Sequence, residues 1–444
     1  MADWADNIDT GDYGKSTRTF AGMRIDPVVF FPTALISLLV IAYSVASPER
    51  SATLFNDIRV WSTTTFDWFL MSAGNLLLLF CVLVALSPLG RIRLGGKGAT
   101  PDYSRMSWFS MLFGAGMGIG LVFYGVSEPI SHFTASMAGG SGAPLGGAPG
   151  NAAVARDLAM AATIFDWALH PWAIFAVAGL AMALFAYDYG MPFSMRSAFY
   201  PLIGKAAWGR AGDGIEILAV FATIFGLASS LGIGAQQAMA GVTFLYGIPS
   251  SSTAILVLIA IMAFVTFLSV RGGIDRGIRI LSEANMLMAV VLVLFIMATG
   301  PALALLGDLV RNTYLYLWNL PALSNPVNRT DQDFYRDWSV FYWAWWISWA
   351  PFVGTFMARI SLGRTVREFI AGAMIAPSLL GIIWLTVFGD ASIAAVVSGQ
   401  AADLSAASLE TQLFVLLKSL PLAQVTSFAA VVLILVFFVT GWDS

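Results

Sequence analysis

Three kinds of residue are scarce in this chain, and each scarcity removes a class of function. Charged residues make up 11% of the 444 positions, while 58% are hydrophobic. Soluble proteins carry about 25% charged residues, so a set of soluble domains is excluded and a polytopic membrane protein remains. A single cysteine, Cys81 in an apolar run, excludes both a disulfide framework and a thiolate metal site. Two histidines, His132 and His170, are too few for a metal centre built of histidine alone. No glycine-rich GxxxxGK[ST] run is present to cradle phosphates, which argues against ATP drive. No segment recurs as a tandem repeat or as the repeated ring of a channel pore. A net charge of −3 says little about partners, because the charges fall mostly between apolar runs, and nothing here points to nucleic acid. Residues 1–26 contain Asp3, Asp6, Asp9 and Asp12 and no apolar core, so they read as a cytosolic tail rather than a signal peptide.

What is abundant is apolar length. Runs long enough to cross a hydrocarbon core of about 30 Å fall near 27–46, 66–88, 106–126, 157–186, 214–246, 252–270, 283–307, 338–358, 369–396 and 424–441. With the N-terminus placed inside, cytoplasmic segments hold 16 of the 23 Lys and Arg and outer segments 7. That asymmetry predicts a cytoplasmic N-terminus. Residues 27–88 then form two peripheral spans, and 106–307 and 338–444 two further units. The outer loop 136–151 is rich in Gly, Ala and Pro, and 312–320 (NTYLYLWNL) reads as an amphipathic helix on the outer surface.

The most informative stretch is WSVFYWAWWISWAPFVGTFMARISLGRTVREF, residues 338–369. Trp338, Tyr342, Trp343, Trp345, Trp346 and Trp349 crowd into twelve positions, far denser than an interfacial belt needs. Helical spacing puts Trp345 with Trp349 on one face, and Tyr342 with Trp346 on another. Any one of these rings is explained by helix packing. Together they offer what a quaternary ammonium requires, since a cation without donors is held by ring faces. The third run carries Gly114, Gly116, Gly118 and Gly120 in GAGMGIG, which weakens a helix in mid-membrane and exposes its backbone; close helix packing is the alternative use of such residues. The fourth reads FDWALHPWAIF, with Trp167, Trp172 and Phe175 across a broad face and Pro171 expected to bend it. Pro351 and Gly354 are expected to break the Trp-rich helix. Paired interruptions in two halves are a mark of inverted-repeat transporters.

The nearly continuous run FYWAWWISWAPFVG (341–354), with GMGIG at 116–120, resembles the signature of the betaine/carnitine/choline transporter family over residues 25–444. The resemblance implies an all-α polytopic membrane protein with an inverted-repeat, leucine-transporter-type fold, of whose twelve expected helices ten are present, and a homotrimer. It implies a cage of Trp167, Trp172 and Trp346, with Phe175 where the family shows Tyr. Met117, Gly116 and Gly118 belong to the substrate stretch, and Trp345 and Trp349 to the inner route and a second, cytoplasmic binding position. Proton-coupled choline importers of the family carry an acid where this chain has Gly120, which favours a zwitterion that brings its own carboxylate.

The same resemblance implies sodium as a coupling ion and no cofactor. One site would use carbonyls of Gly114 and Met117 with Phe437 and Thr440, but Gly441 lacks the hydroxyl expected there. Another would use Thr223 and the region of Phe352, but position 227 is Leu. A hard cation wants oxygens, so one sodium at most is expected. Asp166 is explained by no family pattern; it reads either as a partner of His170 at i+4 or as a site that alters substrate charge or coupling. The expected function is secondary import of an osmoprotectant such as glycine betaine across the plasma (inner) membrane, with choline, carnitine, ectoine and dimethylsulfoniopropionate as other substrates. An embedded enzyme would need converging acid, base or nucleophile groups, and the scattered Asp166, Glu216, Glu283, Asp390 and Asp443 supply none.

Overall fold

The structure, a computed structural model, describes residues 17–20, 23–273, 279–299 and 302–443. A short antiparallel pair, β1 (Arg18–Phe20) and β2 (Met23–Ile25), leads into helices. These are α1 (Pro27–Ala46), α2 (Pro48–Thr65), α3 (Asp67–Leu86), α4 (Arg105–Ala138), α5 (Ala152–Trp167), α6 (Leu169–Tyr187), α7 (Met195–Ile203) and α8 (Arg210–Tyr246). There follow α9 (Ser252–Gly273), α10 (Arg279–Thr299), α11 (Ala302–Leu323), the single turn α12 (Gln332–Phe334) and α13 (Phe341–Arg359). The chain closes with α14 (Val366–Val397), α15 (Gln412–Lys418) and α16 (Ala423–Asp443). All-α polytopic architecture is as expected. Among the described residues, eight helical segments, α5 and α6 together counting as one, or nine if the bent α4 counts as one span, are long and apolar enough to cross a membrane. The tenth expected span is α13, rich in indole rings rather than aliphatic side chains.

Polar side chains set the helix starts. Ser104, Asn151 and Thr365 each accept a backbone N–H at the first turn of α4, α5 and α14. Burial separates centre from rim. Within the apolar windows 72% of α5–α6 and 67% of α14 is buried, against 6% of α1 and 11% of α9. The outer helices turn Leu38, Leu39, Leu76 and Leu256 outward, which suits hydrocarbon. The ends are stitched by charges. At one, Arg364 bonds the Tyr103 carbonyl at 2.7 Å and Glu368 at 2.8 Å, and its guanidinium lies over Trp108. At the other, Arg156 reaches Asp390 at 2.7 Å and Asp308 at 3.1 Å.

Three local expectations are corrected. The helix expected at 312–320 is part of α11 and only half on the surface. Asn312 and Tyr316 are buried and Tyr314 and Trp318 exposed, because Asn312 bonds Thr386 and Asp390 of α14. The Trp-rich helix is continuous through Pro351. Gly354 does not break it but lets it touch α6: a Cβ there would lie 3.0 Å from the Gly179 nitrogen. The fourth span breaks not at Pro171 but at Ala168, whose φ and ψ of −97° and −124° separate α5 from α6. Pro171 sits in the first turn of α6, where its missing N–H costs nothing.

Candidate functional site

The interruptions that do occur converge on one place. The segments of α4 on either side of residues 115–117 are bent by 63°. Against the second segment lie the end of α5, the middle of α13 and the end of α16. Between them is a narrow cavity lined by Gly114, Gly118, Ile119, Gly120, Trp167 and Ser230, with Trp345, Trp346, Trp349, Phe437 and Gly441. None of these residues carries a charge.

The rings are arranged by α13. Trp345 and Trp346 stack at 5.1 Å and 12°, and Tyr342 lies parallel to both, 5.7 and 5.8 Å away. Trp167 meets Trp346 edge-on at 5.1 Å and 75°. Trp167 and Trp346 are almost wholly buried. The break at Ala168 has a chemical consequence here. Carbonyls in the last turn of a helix lack intrahelical partners, and the freed Asp166 carbonyl accepts the Trp346 Nε1–H at 3.2 Å. The broken span thus orients a ring of the neighbouring helix.

Of the residues predicted from sequence, Gly114, Gly118, Trp167, Trp345, Trp346, Trp349 and Phe437 come together around the cavity. Phe175 stands behind Trp346, edge-on at 6.0 Å, and Trp172 behind Phe175 at 5.8 Å; neither lines the space. Gly116 and the Met117 side chain fall outside the described residues. At Gly118 the close-packing alternative describes the geometry: a Cβ there would lie 2.2 Å from Phe437, so a ring, not open space, occupies the position. At Gly120 a Cβ would meet Trp167 at 2.6 Å. An acid at that position would displace a cage ring.

The residues predicted to hold sodium are less assembled. Phe437 and Gly114 line the cavity, and the buried Thr440 hydroxyl bonds the Phe437 carbonyl of its own helix at 3.2 Å. The Thr223 hydroxyl bonds Ala219 one turn back at 2.8 Å, and Phe352 packs edge-on against Trp349. Neither Thr223 nor Phe352 lines the cavity.

Asp166 is not paired with His170. The break at Ala168 removes the i+4 relation, and His170 Nε2 bonds Asn75 of α3 at 2.9 Å. Asp166 instead lies near Glu128 and His132 of α4. Sequence reasoning missed Glu128 altogether. Its Oε2 accepts the Trp167 Nε1–H at 2.7 Å and the Tyr342 hydroxyl at 2.6 Å, so one carboxyl fixes two rings. The signal was faint: Glu128 lies two residues past the apolar run 106–126, and only the extension of α4 to Ala138 makes it an acid within a span, where one is costly and usually functional.

With this geometry in hand, comparison with known proteins is specific. The family model described as BCCT, betaine/carnitine/choline family transporter, matches residues 28–444. A glycine betaine/proline/choline transporter of Vibrio parahaemolyticus is 44% identical over 431 residues, covering 95% of this chain and 78% of the relative. Glycine betaine transporter 1 of the same organism is 43% identical, covering 99% and 84%. A glycine betaine transporter of Bacillus subtilis is 38% identical, covering 94% and 80%.

Proposed function

The chain belongs to the betaine/carnitine/choline family of transporters, and on that premise we propose that it imports a zwitterion bearing a quaternary ammonium or sulfonium group, glycine betaine foremost, by secondary active transport. It is a multi-pass membrane transporter and not an enzyme. The observation that carries the substrate reading is the lining of the cavity: stacked indoles and no charged side chain. A trimethylammonium group has no N–H to donate, so ring quadrupoles are its natural partners. A bare cation in a desolvated space would call for an acid in the wall, whereas a zwitterion carries its own. The Ser230 hydroxyl, bonded weakly to Gly226 at 3.4 Å, is free to turn toward the substrate carboxylate.

Transport follows from alternating exposure of this site, the unit at 106–307 moving against that at 338–444, with the continuous α13 presenting the rings. The N-terminus is cytoplasmic in this reading, in the plasma (inner) membrane, and the assembly is a homotrimer. Sodium is the coupling cargo. Thr440 and the carbonyls beside it supply oxygens at one place, while Leu227 and Gly441 withhold two hydroxyls, so one ion is carried, with weak dependence.

The test is uptake of labelled betaine into proteoliposomes, with unlabelled betaine, choline, carnitine, ectoine and dimethylsulfoniopropionate as competitors, with and without a sodium gradient. Betaine is expected to compete best, and flux to require an ion gradient. Stronger competition by choline would overturn the zwitterion reading; uptake driven only by a proton gradient would overturn sodium.

A further inference from the structure

Beside the cage, and joined to one of its rings, lies a group of ionisable side chains that the transport reading leaves unused. Glu128 and His132 are one turn apart on α4, with Oε1 and Nε2 3.4 Å apart. Asp166 approaches from α5, so that one oxygen or nitrogen from each of the three lies within 4.8 Å of the others. All three side chains are at most 1% exposed. Trp338 and Phe334 cover the imidazole edge-on at 4.5 and 5.2 Å. Both oxygens of Asp166 lack a hydrogen-bond partner, as do Glu128 Oε1 and His132 Nε2. The Ser339 hydroxyl faces Asp166.

Two carboxylates this close in a dry interior cannot both stay ionised without a compensating positive charge. The groups facing them from neighbouring elements do not supply it. Tyr342 of α13 and Tyr124 of α4 are neutral phenols. Arg329, in the connection after α11, is engaged bidentately by Asp331 at 3.0 and 2.7 Å. The balancing charge must therefore be a mobile one, and a proton needs no added volume. We propose that Glu128, His132 and Asp166 form a proton-binding site that holds an exchangeable proton while the cage is empty and releases it when a cationic headgroup enters.

The coupling element is Glu128. When a quaternary ammonium sits against Trp167, its charge favours the ionised carboxyl behind the ring. The bonds from Trp167 Nε1 and Tyr342 then become charge-assisted and shorter. The proton passes to water, no bond other than O–H is broken, and nothing is oxidised or reduced. Linkage is reciprocal: if the headgroup expels the proton, proton loss strengthens headgroup binding, so affinity rises with pH, by at most about tenfold per pH unit for one proton. The second half of the proposal rests on the transport reading; the site itself does not.

Infrared difference spectra of the purified full chain, recorded between acidic and alkaline pH without substrate, test the site directly. A carbonyl band from a buried protonated carboxyl is expected to fade as pH rises, and to be lost or sharply reduced in Asp166→Asn and in Glu128→Gln. Asp166→Glu should restore it. No such band in the native protein, or one untouched by both substitutions, overturns the proposal. So does a stoichiometric divalent metal that Asp166→Asn loses, since the carboxyls would then be permanently ionised. Choline binding to the same samples should release protons and tighten several-fold with rising pH, and Asp166→Asn should flatten that dependence. Binding with the band intact but no proton release refutes the coupling. A titrating band with no binding of choline or betaine at any pH refutes the transport reading and leaves the site standing.

Discussion

Around the central cavity, the rings of Trp167, Trp345 and Trp346 form part of the wall and no charged side chain lines it. About two turns further along α4, Glu128, His132 and Asp166 bring three ionisable groups within 4.8 Å of one another. The two places face the same problem, positive charge in a low-dielectric interior, and meet it by opposite means. A quaternary ammonium can neither give up its charge nor donate a hydrogen bond, so it is matched to polarisable faces. A proton can do both, so it is matched to oxygen and nitrogen lone pairs. Trp167 belongs to both places, lining one with its ring and bonding Glu128 of the other through its Nε1–H.

The largest effect is expected from filling the cavity wall. Valine at Gly118 would place its Cβ 2.2 Å from Phe437 and drive that ring into the cavity. Gly118→Val should abolish uptake while the protein remains in the membrane and monodisperse on gel filtration. Normal uptake would remove this stretch of α4 from the site.

Next comes removal of a ring whose one bond to the acid cluster is to the Asp166 backbone carbonyl. Trp346→Ala should weaken betaine binding about thirtyfold, a cation–π contact of about 2 kcal/mol, with Phe or Tyr recovering part of it. The pH profile should not change. An altered pH profile would erase the distinction between cage and cluster; normal affinity in Trp346→Ala with failure of Trp346→Phe would reduce the ring to packing.

Trp167→Phe sharpens the comparison because it keeps the face and deletes the donor. Loss of the 2.7 Å bond to Glu128 should cost roughly tenfold in affinity, within the range for a hydrogen bond to a charged group. Unlike Trp346→Ala it should also shift the pH dependence of binding. An unshifted profile would show that the carboxyl does not act through this ring.

The smallest effects concern sodium. Uptake should rise with sodium along a simple hyperbola, with a Hill coefficient near one. Gly441→Ser should lower the half-maximal sodium concentration by about threefold, less than 1 kcal/mol, and Thr440→Ala should raise it. A steep sigmoid would mean two occupied sites.

Much of the site was legible in sequence because its signals are local. The indoles of 338–349 share one helix, and GAGMGIG weakens one span. Tyr342 and Trp346, paired from four-residue spacing, do stack. The failures all cross between helices. Pro351 looked like a breaker, yet α13 runs through it, its close approach to α6 at Gly354 and Gly179 set by tertiary packing. Ala168 carries no Gly or Pro to mark the break it makes. Without that break, Asp166 and His170 share a face, and the pairing read from sequence is the natural one.

The sequence alone determined that this chain lies in a membrane, that it has neither a disulfide framework nor a GxxxxGK[ST] phosphate cradle, and that its rings suit a donor-free cation. Those properties depend on composition and on spacing within single helices, where 3.6 residues per turn fixes which side chains are neighbours. Only the tertiary structure decided which carboxyl meets which ring. Glu128 finds Tyr342 across 214 positions, and Trp346 finds a carbonyl 180 positions away. Periodicity carries no information over such separations, and an unpaired backbone or carboxyl group in a dry interior takes whichever partner helix packing brings to it.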